Sequence, residues 1–207
     1  MATITLSRLY DDHRDAMATV QALEQAGFSR DDISLVSNNT GNRWTPTPGA
    51  GDTSAEAAAA GSSGPSATGA GTTIGTLLGG GAGLLAGIGS LAIPGVGPVV
   101  AAGWLVATLA GAGVGALVGG GAGGLVDALT HSGVSEEDAN LYAEGVRRGG
   151  TLVTLRTDTA RQPEAQTILD RRASVNLTDR RREYESAGWS RFDPAAPSLP
   201  PPGTPRA

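Results

Sequence analysis

Five places in this 207-residue chain carry residue types that could do chemistry. Gly119-x-Gly121-x-x-Gly124 has the letters of a dinucleotide fingerprint, in which bare backbone approaches a pyrophosphate where a strand turns into a helix. Here the motif falls late in a segment whose glycine spacing has a packing reason of its own, so nucleotide binding is not expected. Glu136-Glu137-Asp138 offers carboxylates for general acid–base work. Consecutive residues on a helix point in different directions and cannot flank one substrate bond, so these acids read as partners of a positive helix end. His13 at a helix start and His131 in a turn each lack a second ligand at metal spacing and read as capping or solvated residues. Arg180-Arg181-Arg182, followed by Glu183 and Glu185, is the basic cluster. It could touch phosphate or anionic lipid, each base near a membrane surface contributing about 1 kcal/mol, or form a solvated helix start paired with its own acids. No catalytic residue, cofactor-binding residue or metal ligand is expected. The chain does not read as an enzyme.

Composition narrows the classes further. The net charge of -5 comes from 20 acids against 15 bases, every base being Arg. A mildly acidic chain without a basic stripe does not suit nucleic acid. The absence of cysteine removes disulfides, thiolate metal sites and cysteine nucleophiles. Met1–Arg8 lacks the positive start and long apolar run of a secretion signal, so the N-terminus is expected in the cytoplasm.

The elements that must position these residues follow from periodicity and capping. Thr3–Leu9 alternates as a strand. Asp11 or Asp12 caps a helix over His13–Ala26 that ends at Gly27, with Phe28 supplying the closing apolar contact. Ile33–Val36 is a second strand. Residues 1–38 thus form a first β-α-β half, and 39–70, rich in Asn, Thr, Pro, Gly, Ser and Ala, reads as a flexible linker in which Trp44 is the one large apolar residue. Ser135 caps a helix running to Arg148 and stopped by Gly149-Gly150. A strand at Thr151–Thr157, a helix at Gln162–Arg172 burying Ala165, Ile168 and Leu169, and a short strand at Val175–Leu177 complete a second half with a C-terminal arm, 131–192. Tyr184 and Trp189 either clamp that arm onto the sheet or sit at a membrane interface, and packing is the expectation. Residues 193–207 form a Pro-rich tail expected to be disordered. Two strands alone are marginal, so the halves are expected to share one antiparallel four-stranded sheet with helices on one face. The fold class is α+β, a ferredoxin-like split β-α-β sheet interrupted by a glycine-rich two-helix hairpin.

That hairpin, 71–130, falls within the stretch between Glu56 and Asp127, which has no charged residue or histidine, for all but its last four residues. Gly71, Gly75, Gly79, Gly83 and Gly87 recur every fourth residue, and Gly111, Gly115, Gly119 and Gly123 repeat the spacing. Between them Pro94, Gly95, Gly97 and Pro98 mark a turn. Positions four apart share a helix face, and a ridge of glycines lets another helix approach closely. Segments of roughly 20 residues would cross a bilayer. Glycine costs about 1 kcal/mol relative to Ala in an aqueous helix, which favours the bilayer, where helix is enforced. Glycine and alanine also add little drive for insertion, which leaves open a hairpin buried between subunits.

Gly27–Asn38 (GFSRDDISLVSN), Ile93–Gly103 (IPGVGPVVAAG), Gly133–Arg156 (GVSEEDANLYAEGVRRGGTLVTLR) and Gly188–Pro194 (GWSRFDP) together resemble the bacterial heat-induced general stress protein domain family. The resemblance implies a non-enzymatic stress-response protein with no catalytic residues to carry over. The full expectation is a protein held in or on the bacterial inner membrane by the hairpin, with both termini cytoplasmic. Its partners would be the lipid bilayer and further copies of itself, with no nucleic acid, no cofactor and no small-molecule ligand expected. The alternatives are a cytoplasmic oligomeric module that buries the hairpin between subunits, and a ligand-binding regulator, which would need a concave pocket with convergent polar groups.

Overall fold

The computed structural model describes residues 3–40, 89–93, 95–106, 108–109 and 124–196. Among them is one antiparallel five-stranded sheet in the order β1-β5-β2-β4-β3, where β1 is Thr3–Tyr10, β2 Ile33–Asn38, β3 Gly89–Ile93, β4 Gly97–Gly103 and β5 Thr151–Asp158. The helices are α1 (His13–Gln25), α2 (Leu125–His131), α3 (Glu136–Arg147), α4 (Gln162–Asp170) and α5 (Leu177–Ser186). Because β5 pairs antiparallel with both β1 and β2, those two strands run parallel to each other with β5 between them. Helix α1 makes the crossover.

The helices take the ends that their sequences specify. The Asp12 carboxylate accepts from the Arg14 amide at 2.8 Å, and the Ser135 hydroxyl accepts from the Asp138 amide at 3.1 Å. At the end of α1, Gly27 N–H donates to the Glu24 carbonyl and Phe28 N–H to that of Leu23, with Gly27 at φ 80°. The same pair of bonds closes α3 at Gly149 and Gly150. Asn176 caps α5 through both the Thr178 and Asp179 amides.

Helices cover both faces of the sheet, where one covered face was expected. Antiparallel partners share a face, so Leu6, Leu155 and Ile33 point together with Val153 and Leu35. They pack beneath Val20 and Leu23 of α1 and Ile168 and Leu169 of α4. Leu9, Leu152, Val36 and Ala101 point the other way, beneath Leu125 and Leu129 of α2 and Tyr142 and Val146 of α3. On that second face the row Ser7–Thr154–Ser34 is small and polar. It leaves room for Tyr142, whose hydroxyl donates to the Ser7 carbonyl at 2.8 Å.

The expected helical hairpin is the largest correction. Its centre is a β-hairpin: β3 and β4 pair antiparallel and add to the free edge of β2. The chain still reverses between Ile93 and Gly97, around Gly95, but it joins strands. Residues Val99 to Ala102 are all buried, so both faces of β4 are covered and the strand shows no alternation to betray it. Among the described residues of the expected second helix, 104–106 and 108–109 are helical and α2 is a seven-residue helix that begins at Leu125. The transmembrane reading is therefore withdrawn: no helix among the described residues is long and apolar enough to cross a membrane. Gly71, Gly75, Gly79, Gly83, Gly87, Gly111, Gly115, Gly119 and Gly123 lie outside the described residues, as do Pro94, most of the expected linker and residues 197–207.

The two sheet edges differ. Beside β1 the expected last strand is reduced to a bridge from Tyr10 to Ser174 and a bond from Val175 N–H to the Leu9 carbonyl, because Asn176 starts α5 at once. At the other edge Ala92 faces Pro98. The Pro98 carbonyl accepts from the Asn39 amide at 2.8 Å and so is turned toward β2, which makes Ala92 and Pro98 a non-hydrogen-bonded pair and points the N–H and C=O of Ala92 away from β4. Ala92 is exposed.

Candidate functional site

The residues singled out for chemistry scatter over the fold. His13, first in α1, brings Nδ1 within 3.1 Å of Ser37 Oγ and 3.3 Å of Thr151 Oγ1, while the two hydroxyls lie 2.8 Å apart. A histidine beside a serine could activate a nucleophile. Ser37 and Thr151 are, however, cross-strand partners 1 % and 0 % exposed, and a hydroxyl sealed this way does not meet a substrate. The cluster pins the start of α1 to the sheet. His131 is exposed at the end of α2 and approaches Asp127 of its own helix, Nδ1 to the carbonyl oxygen at 2.8 Å. Among the described residues no group of three or more His, Asp and Glu could hold a metal ion. Of the three glycines in the nucleotide-like motif only Gly124 is described. It is the N-cap of the seven-residue α2, and residues 110–123 that lead into it lie outside the described ones.

The acids of α3 and the arginine cluster meet each other. Arg181 pairs with Glu137 and, at 3.1 Å, with Asp138, so α5 is tied across to the start of α3. Arg180 instead reaches Asp11 at 2.6 Å and Glu183 at 3.3 Å, and Arg182 pairs with Asp179. Behind this contact sits a group that sequence reasoning missed. Glu144 is 0 % exposed and takes both a two-pronged bond from Arg147, at 2.8 and 2.9 Å, and a 2.6 Å bond from Arg148. Arg148 lies 4.1 Å over the Tyr184 ring, and Trp189 meets the same ring edge-on at 5.9 Å. Arg147 and Arg148 at a helix end look like dipole partners in sequence, but their geometry is that of a buried charge with its counter-ions. Burial pushes the Tyr184 hydroxyl above its ordinary range, partly opposed by Arg180. Burial also works against the Arg180 charge, but its bonds to Asp11 and Tyr184 outweigh that and raise its pKa.

This clamp holds the segment after α5 across the sheet end, where it forms one wall of a groove of about 860 Å³. The other walls are α2 and the first turns of α3. Val126, Val134, Phe192 and Pro194 supply apolar surface, and Asp127, Thr130, Glu136, Asn140, Arg191 and Asp193 supply polar groups. Phe192 is buried, and a Cβ on Gly95 would come within 2.9 Å of its ring and 2.7 Å of Pro194 Cα. The β3–β4 turn and the arm therefore fit only because residue 95 has no side chain. Arg191 crosses to Glu136 at 3.0 Å, both ends remaining largely exposed. The groove can offer ion pairs and hydrogen bonds over an apolar floor. In sequence its signals were Glu136, read only as a helix-end acid, and Phe192 at the end of the arm. Comparison with family models, with curated protein sequences and with solved structures finds no match to this chain.

Proposed function

We propose that this chain is a non-catalytic interaction module that self-associates through the β3 edge of its sheet, which no described strand covers. The observation that carries the reading is that edge. The N–H and C=O of Ala92 point outward, and nothing between Glu56 and Asp127 carries a charge. Natural sheets usually guard a free edge with lysine, proline or an inward charge, because unpaired backbone groups template another strand. An uncharged strand paired antiparallel with its own copy is self-complementary and meets no like-charge repulsion. We read β1, α1 and β2 around β5 as the split β-α-β half of a ferredoxin-like arrangement, to which β3 and β4 have been added. The resemblance to the general stress protein family supports a stress-associated role.

Sedimentation of the full chain over a range of concentrations tests this. Wild type is expected to show a concentration-dependent dimer or larger species. Ala92→Pro, which removes an outward donor without touching the β4 ladder, and Ala92→Lys, which places two like charges together, should each weaken it by about ten-fold or more, the loss of roughly 1.4 kcal/mol. A monomer at every concentration, or an assembly indifferent to both substitutions, rules the reading out.

A further inference from the structure

We infer that the groove between α2, the start of α3 and the C-terminal arm binds a basic, partly apolar polypeptide segment, independently of the β3 edge. Three acids line it, Asp127, Glu136 and Asp193, against one base, Arg191. The positive end of α3 does not reverse this sign, because a helix end counts for about half a charge and the first turn carries Glu136, Glu137 and Asp138. Arg181 neutralises part of that turn from outside the groove. Val126, Val134 and Phe192 give the floor apolar area for side chains that alternate with basic ones. About 860 Å³ is room for a short peptide segment.

The protein already displays the chemistry. Arg191 lays its guanidinium on Glu136 at 3.0 Å, with 72 % of its own side chain and 66 % of the glutamate's exposed. It also borders a second, smaller cleft on the far side, which shares Glu136, Asn140 and Ser190 with the first. Arg191 thus acts as an internal occupant. A guanidinium or ammonium group from a partner can take over Glu136 at little net cost, since one exposed ion pair replaces another.

The probe is a fluorescently labelled eight-residue peptide alternating Arg and Leu, compared with Glu/Leu and Ser/Leu peptides of the same length, titrated with the full chain and read by anisotropy. The Arg/Leu peptide alone should bind, and added salt should weaken it. Glu136→Gln should weaken it by about two- to five-fold, the range an exposed pair spans, and Arg191→Ala should tighten it by a similar factor because it frees the carboxylate. Opposite responses to two neighbouring exposed substitutions separate this from damage to the fold, which would weaken both. The inference is overturned by equal binding of the Ser/Leu or Glu/Leu peptide, by no binding up to about 1 mM, the scale of non-specific contact, or by variants that leave the affinity unchanged. The β3-edge reading is tested by Ala92 alone, so either proposal can fail without the other.

Discussion

Tyr142 shows how a single hydroxyl ties helix to sheet and makes stability depend on pH. Its O–H donates to the Ser7 carbonyl, which also accepts from Arg8 at 2.9 Å. Burial raises the pKa of Tyr142 above its ordinary value, and burial raises Tyr10 and Tyr184 as well. A raised phenol is protonated in the folded state and ionises more easily in the unfolded one. Its contribution is therefore complete below about pH 10 and falls as pH rises beyond that value. Chemical denaturation at stepped pH should show stability declining above about pH 10. Tyr142→Phe should lower neutral-pH stability by about 1 kcal/mol and make that alkaline decline shallower. An unchanged slope would assign the decline to the other tyrosines. These partnerships were not legible in the sequence. Nothing near Tyr142 announces that Ser7, 135 residues earlier, leaves room for it. Glu144 was equally hidden, since its arginines had a simpler local explanation.

At the scale of elements, local chemistry was legible wherever it is settled within a few residues. The caps at Asp12 and Ser135, the stop at Gly27 and the apolar stripe of α4 are all where spacing places them. The central β-hairpin was not, because β4 is buried on both faces and carries no alternation. Gly103, the last residue of β4, is a position fixed by tertiary context. It sits at φ 89°, and a Cβ there would overlap the Ile33 carbonyl oxygen and lie 2.8 Å from Ser34 Cα. Gly27 has a similar φ, 80°, but open space around it. Gly27→Ala should thus cost about 1 kcal/mol, the price of left-handed backbone. Gly103→Ala should cost about 2 kcal/mol or more, because β4 must also move away from β2. Denaturant midpoints compare the two, and equal losses would mean that β4 shifts freely at that point.

In the whole molecule, β5, like β2, has a strand on each side and a helical layer on each face, and it also carries the longest pairing of the sheet, eight residue pairs with β1. Its amides should exchange most slowly in hydrogen–deuterium exchange, while β3 and the arm from α5 onward open earlier. The arm is mostly polar and rests on Tyr184, Phe192 and ion pairs. Protection of α5 equal to that of β5 would show that arm and sheet open as one unit. The mixed strand order also explains why the groove escaped sequence reasoning. Its walls come from 124–140 and 190–194, brought together only after α5 has crossed back over α3.

The position of β5 between β1 and β2 bears on synthesis as well. At the ribosome, β1, α1 and β2 emerge first, yet the strand that must lie between them begins at Thr151. At ordinary elongation rates the intervening chain takes on the order of ten seconds to make. Throughout that interval the nascent N-terminal half holds its apolar faces open, with the uncharged glycine-rich stretch trailing behind it. Chaperone contact with this chain is accordingly expected before residue 151 emerges and should end once β5 has left the exit tunnel.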